Sequence, residues 1–189
     1  MLELPTSKRI LKEAQDLIQR RGFFGLSLQD LADRIQIRKP SLYAHYDSKE
    51  ALAVALLLDY QEGFLSWSVG LSTLSPEARI KAFLGIYDEY VVDGKVCPHA
   101  ALALDGPLLP VSIQEAYRNL RQSQVLWLSQ VISEGVSTGE FRGDLETSAQ
   151  AERLIQQMVG AQLGFRVTAD RVRYEEMKDE IVRSLKKFH

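Results

Sequence analysis

The densest group of side chains able to do chemistry lies between Arg34 and Lys49. In that run Arg34, Arg38, Lys39 and Lys49 face one acid, Asp47, so the segment is locally basic. The whole chain is not, with 23 Lys and Arg against 25 Asp and Glu and a net charge of −2. A compact basic face still suits phosphate, because screening confines the reach of an exposed charge to roughly 10 Å. The neighbours extend the same chemistry. Tyr43, His45 and Tyr46 add hydroxyl and imidazole donors, Ser41 is short enough to allow close approach, and Ser27 and Gln29 stand a little upstream. Arg38 and Lys39 are types that reach phosphate oxygens or guanine edges. The plainer reading of these charges is a solvated helical face, and the elements that carry them must decide.

Elsewhere the chemistry thins out. Cys97 and His99 have the types of a nucleophile and a base, yet residues two apart rarely orient for that and no acid partner accompanies them. One cysteine cannot make an internal disulfide or a cysteine metal cluster, and His45, His99 and His189 lack metal-site spacing. The expectation is no enzyme, no metal and no cofactor. The N-terminal segment, with Glu3, Lys8 and Arg9, does not read as an export signal, and no run nears the ~18 apolar residues that cross a bilayer. A cytoplasmic protein without membrane contact is expected.

The elements that must position the basic run read as short helices. Ile10, Ala14, Leu17 and Ile18 repeat at helical spacing, and Gly22 supplies a stop. Ser27 is a good cap with Asp30 three residues on, followed by the stripe Leu28, Leu31, Ala32 and Ile35. After a tight passage through Gln36 and Ile37, Pro40 suits the first turn of a helix to about Tyr46, with Leu42 facing inward. Asp47 with Glu50 forms a second capping pattern before a longer, more apolar helix. Two short helices joined by a tight turn, the second opening on basic residues, is the geometry that places a helix in the major groove of DNA. Lys49 would then meet phosphate at the amino end of the next helix.

Ser27-Leu-Gln-Asp-Leu-Ala-Asp-Arg-Ile-Gln-Ile-Arg-Lys-Pro-Ser-Leu-Tyr-Ala-His-Tyr-Asp-Ser-Lys-Glu-Ala-Leu52, with the helix ending at Gly22 before it, closely resembles the DNA-binding signature of TetR-family (tetracycline-repressor-like) regulators. The resemblance covers roughly residues 6 to 58. It implies an all-α homodimer in which residues 1–50 form a three-helix, helix-turn-helix DNA-binding domain. Residues 51–189 would form a larger helical domain that binds a small-molecule effector and dimerises. The resemblance also implies that Ser27 contacts the DNA backbone, that Tyr43 is the phosphate-contacting tyrosine and that Lys49 is the lysine after the reading helix. The sequence departs from the family at Gln36, where Gly is frequent, and at Arg38, where Ser or Thr often caps the helix. The DNA-facing candidates are therefore Ser27, Gln29, Arg38, Lys39, Pro40, Ser41, Tyr43, His45, Tyr46 and Lys49, and the expected partner is a double-stranded, pseudo-palindromic operator.

Beyond Leu52 the pattern is of longer helices without strand-like alternation. Ser75-Pro76 starts a helix with inner face Ile80, Phe83, Leu84, Tyr87 and Val91, and prolines break the stretch from Val96 to Pro110 around one short helix. Ile113 to Val131 marks a long helix, followed by a loop with Gly135, Gly139 and Gly143, a helix after Asp144, and a terminal helix from Asp170 to Phe188. Phe64, Trp67, Tyr87, Tyr90, Cys97, Leu104, Trp127 and Met158 either line an effector pocket or form ordinary core. Asp105 in Asp-Gly-Pro is a polar hook in that pocket or the cap of a turn, the turn being favoured. Gly160, Ala161 and Gly164, with Trp127, Val131, Leu154 and Met158, would suit a four-helix dimer interface or close packing within the chain. A helical ligand-binding protein that does not act on DNA is the competing reading, and the basic run argues against it.

Overall fold

The stripe Ile10, Ala14, Leu17 and Ile18 is buried along α1 (Thr6–Arg21), which stops where expected, at Gly22. In the computed structural model, which describes residues 4–103 and 105–186, the described residues form helices and no strand. The order continues with α2 (Leu28–Arg34), α3 (Lys39–Tyr43), α4 (Lys49–Val69), α5 (Pro76–Gly85), α6 (Asp88–Val92) and α7 (Pro98–Ala103). A 3₁₀ turn at Gly106–Leu108 leads into α8 (Val111–Ser137), α9 (Thr147–Thr168) and α10 (Arg171–Leu185). The architecture is all-α. No helix among the described residues is long and apolar enough to cross a membrane.

Two compact units result, one from the described residues up to Glu62 with Pro98–Leu120, the other from Gly63–Cys97 with the described residues from Arg121 on. Residues 98–120, which a division at residue 50 assigns to the second domain, thus pack with the N-terminal helices, α7 lying against α1. The core of this first unit includes Ile10, Leu17, Leu31, Leu42, Leu52 and Ile113, all fully buried. In the second unit α10 packs on α9 and α5, and α6 on α9, around Ile80, Phe83, Leu128, Phe141, Leu154 and Ile181.

Several boundaries differ from the sequence expectation. Helix α3 ends at Tyr43, before Tyr46, with His45 and Tyr46 N–H groups both returning to the Leu42 carbonyl as a closing turn. The cap of α4 is Ser48, whose hydroxyl accepts the Ala51 N–H at 2.9 Å, so Asp47 stands one residue too early for the role. The helix expected from Pro76 to Val91 breaks at Ile86 and Tyr87, whose N–H groups make tighter three-residue bonds to Phe83 and Leu84. Gly135, expected in a loop, lies inside α8. Helix α9 is capped by Glu146, whose carboxylate accepts the Ser148 and Ala149 N–H groups, two residues later than Asp144. The terminal helix begins as expected after Asp170, which accepts the Arg173 N–H at 2.9 Å. Phe188 lies outside the described residues.

Candidate nucleic-acid interface

Helix α3 depends on one buried anchor. Leu42, with no exposed surface, ties α3 to the first unit, and removal of such a side chain costs about 2–5 kcal/mol. Around it Arg38, Lys39, Pro40, Ser41, Tyr43 and His45 are all exposed, so five residues of helix and its flanks present a continuous strip of donors and cations to solvent. Arg38 stands at the cap position without a side-chain hydrogen bond to the helix end.

The turn before α3 keeps a regular geometry without a glycine. Gln36 holds φ at 58°, the left-handed region, while the Ile37 N–H reaches Ala32 O at 3.0 Å and the Gln36 N–H reaches Asp33 O at 3.2 Å. This is the six-to-one and five-to-two pairing that closes helix ends. Arg9, from α1, donates to the Ile35 carbonyl at 2.8 Å and pins the same turn. The geometry often provided by Gly is here reached with a glutamine, which carries the cost of a β-carbon in that region, about 1–2 kcal/mol.

The remaining candidates divide by what already holds them. Ser27 is half-buried and its hydroxyl accepts the Asp30 N–H at 3.2 Å, capping α2 as expected. Gln29 is exposed, its amide donating to Asp33 one turn on at 2.8 Å. Tyr46 is half-buried and donates its hydroxyl to the Ser7 carbonyl at 3.4 Å, which makes it a brace onto α1; burial pushes its phenol up. Arg34, counted in the basic run, is turned to α1, 3.2 Å from Asp16 and 3.6 Å from Glu13. The exposed cations left for phosphate in this run are Arg38 and Lys39, with Lys49 beside them half-buried. Lys49 Nζ stands 4.6 Å from the centre of the Phe23 ring and donates to Phe24 O at 3.2 Å. Burial pushes its pKa down, and the charge of Asp105 opposes that.

In the second unit the aromatic members of the candidate effector set form one cluster. Trp127 packs 5.7 Å from Phe64 and 5.6 Å from Trp67, and Phe83, absent from the candidate set, joins Trp127 at 6.1 Å and Tyr87 at 5.7 Å. Tyr90 edges onto Tyr87 at 6.5 Å, and burial pushes both phenols far up, so they stay protonated as donors. Phe83 sat in the sequence on the stripe Ile80, Phe83, Leu84 and Tyr87, and its spacing to Tyr87 was the available signal. Cys97 is buried, and Met158 is wholly so. Leu104 lies outside the described residues. Asp105 is neither a pocket hook nor the cap of its own turn: its carboxylate accepts the Phe23 N–H at 2.7 Å.

The interface candidates separate in the same way. Val131, Leu154 and Met158 are at most 1% exposed within the single chain and offer no surface, whereas Trp127, part of the aromatic cluster, is half-buried. Inward-facing positions of α8 and α9 are used up by the core. Gly160 and Gly164 are exposed and Ala161 half-buried, together with Phe165, Tyr174 and Met177 along a groove of about 470 Å³ between α9 and α10.

Comparison with known proteins extends this picture. Residues 10–56 match the family model for bacterial regulatory proteins, tetR family. The HTH-type transcriptional repressor DhaR of Mycobacterium sp. (strain GP1) is 26% identical over 175 residues, covering 90% of this chain and 87% of that protein. A TetR-family transcriptional regulator from Agrobacterium tumefaciens shares the fold with a TM-score of 0.88 at 24% identity, over 96% of this chain and 97% of that one. A TetR transcriptional regulator from Legionella pneumophila is similar with a TM-score of 0.87 at 29% identity, over 98% of this chain and all of that one.

Proposed function

Since the chain belongs to the TetR family of transcriptional regulators, we propose that it is a cytoplasmic homodimeric repressor that binds a pseudo-palindromic operator and is released by a small-molecule effector. The observation that carries the DNA-binding half of this reading is the exposed strip Arg38, Lys39, Ser41, Tyr43 and His45 around buried Leu42. A helix held from below by one leucine and presenting cations and hydroxyls outward suits a major groove. In this reading Tyr43 and Lys49 hold phosphate, while Arg38 and Lys39 at the start of α3 read base edges. Residues 1–50 carry the side chains that meet DNA, while residues 51–189 include those that serve effector and partner.

The dimer half of the reading is supported by the small-residue face of α9, Gly160, Ala161 and Gly164, which lets a second helix come close. Two copies would present their reading helices about 34 Å apart, one turn of DNA. Effector preference for a spread-apart state of about 1–3 kcal/mol would lower operator affinity roughly 5- to 150-fold, with reciprocal weakening of effector by DNA. Selection of random duplex DNA by the purified protein, with sequencing of the retained pool and sizing of the complex, tests the proposal. An inverted repeat held by two copies is the expected result. Retention of no motif, with salt-labile binding alone, overturns it.

A further inference from the structure

We propose that Asp105 is a positioning residue for DNA binding: it fixes the turn after α1 and through that turn sets where the Lys49 ammonium stands. The inference rests on the reading of Lys49 as a phosphate contact.

Helix α1 ends with the Gly22 N–H bonded to Ile18 O at 2.8 Å. The next N–H, that of Phe23, donates to Asp105 Oδ2 at 2.7 Å, a charge-assisted bond across 82 residues of sequence. Gly22 makes room for it. Its φ is 75°, and a β-carbon there would stand 2.9 Å from the same Asp105 oxygen. Immediately after this anchored amide come the two groups that hold the lysine, the buried Phe23 ring under Nζ and the Phe24 carbonyl that accepts from it. Both seats of the ammonium therefore depend on the amide that Asp105 fixes.

The same segment also touches α4, at the residue after the lysine, where the Ser112 hydroxyl donates to the Glu50 carboxylate. Lys49 is thus bracketed by two contacts from residues 105–112. Asp105 makes no capping bond to its own 3₁₀ turn, so its carboxylate serves the α1 end and the neighbouring lysine.

A sign difference separates positioning from simple electrostatics. An acid near bound DNA repels phosphate, so on charge alone Asp105→Ala would tighten binding. Positioning predicts the opposite. The probe is a fluorescently labelled duplex recovered from a random pool by the wild-type protein, titrated at about 150 mM salt, with thermal unfolding followed for each variant. Asp105→Ala is expected to weaken binding about 5- to 30-fold, the loss that follows an unpaired, displaced donor. Asp105→Asn, which keeps an acceptor, should restore most of that affinity, and Asp105→Glu, which keeps the charge but moves the oxygens, should not. In a Lys49→Ala background, Asp105→Ala should cost less than about 2-fold, because the group being positioned is gone. Binding by Asp105→Ala equal to or tighter than wild type overturns the inference, as does an undiminished loss in the Lys49→Ala background. Failure of the wild-type protein to recover any motif would instead overturn the repressor reading and take this inference with it.

Discussion

Cys97 donates its backbone N–H to the side-chain oxygen of Gln162 at 3.0 Å, and the nitrogen of the same amide donates to the Tyr87 carbonyl at 3.3 Å. Gln162 has no exposed surface, so both bonds are dry. One glutamine on α9 therefore satisfies the chain on either side of the stretch from Tyr87 to Cys97.

Replacing Gln162 by Leu removes the buried acceptor of the Cys97 N–H and one of the donors to the Tyr87 carbonyl, which keeps the Tyr90 and Val91 N–H groups. Loss of the buried acceptor costs about 1–3 kcal/mol. The variant should unfold at clearly lower urea concentration than wild type with little change in the slope of the transition. An unchanged midpoint would refute the role given to this amide.

Gln36→Gly should raise stability. The turn needs a left-handed residue, and glycine takes it without the β-carbon penalty of about 1–2 kcal/mol, set against about 0.5–1 kcal/mol of extra chain entropy. The net gain expected is about 0.5–1 kcal/mol in chemical denaturation. A loss would mean that the glutamine side chain contributes more than its conformation costs.

The exposed strip divides into two kinds of DNA contact. Tyr43→Phe and Lys49→Ala should weaken binding to operator and random duplex alike, and Lys49→Ala should also flatten the dependence on salt by about one phosphate. Arg38→Ala and Lys39→Ala should in addition change which sequence is preferred. Titrations on both duplexes between about 50 and 200 mM salt measure this, and equal effects from all four substitutions would contradict the division.

Gly135→Ala should be severe for a residue inside a helix. The ring of Phe141, 1% exposed, occupies the space in which the new methyl would stand. Overpacking of this kind costs about 1–3 kcal/mol. Phe141→Leu, itself destabilising, should cost less in the alanine background than in wild type, and strict additivity in melting experiments would rule out the contact as the cause.

Glu77 links the ends of the second unit and makes stability depend on pH. The hydrogen bonds from Lys186 and then Lys81, each 2.8 Å away, hold its carboxyl below the usual range. A depressed carboxylate contributes stability that is present above its unfolded pKa of about 4.3 and lost as pH falls through the folded value. Wild type should therefore lose more stability than Glu77→Gln on acidification from about pH 5 to pH 3, and parallel curves would exclude this carboxylate.

Where spacing alone decides, the sequence was readable. The stripe Ile10, Ala14, Leu17 and Ile18, the Ser27 cap and inward Leu42 stand as the periodicity required, because helix faces and caps depend on residues three and four apart. Gln162 was within reach of the same logic. It falls four residues after Met158 on the buried stripe of α9, and a polar side chain there demands partners. The cap of α4 was missed by one residue because Asp47 and Ser48 are both good caps, and only the hydrogen bond distinguishes them.

By itself the sequence determined an all-α chain whose second and third helices carry a basic strip, since those properties follow from local periodicity and residue type. Tertiary structure alone decided which of those cations are available. Arg34 is turned to Glu13 and Asp16, while Lys49 is seated on Phe23 and Phe24. It likewise decided that Asp105 holds the end of α1, and that Leu154 and Met158 are core while Gly160 and Gly164 are surface. The reason is physical: a charge or an apolar face chooses among partners by distance in space, and partners 82 residues apart leave no trace in spacing.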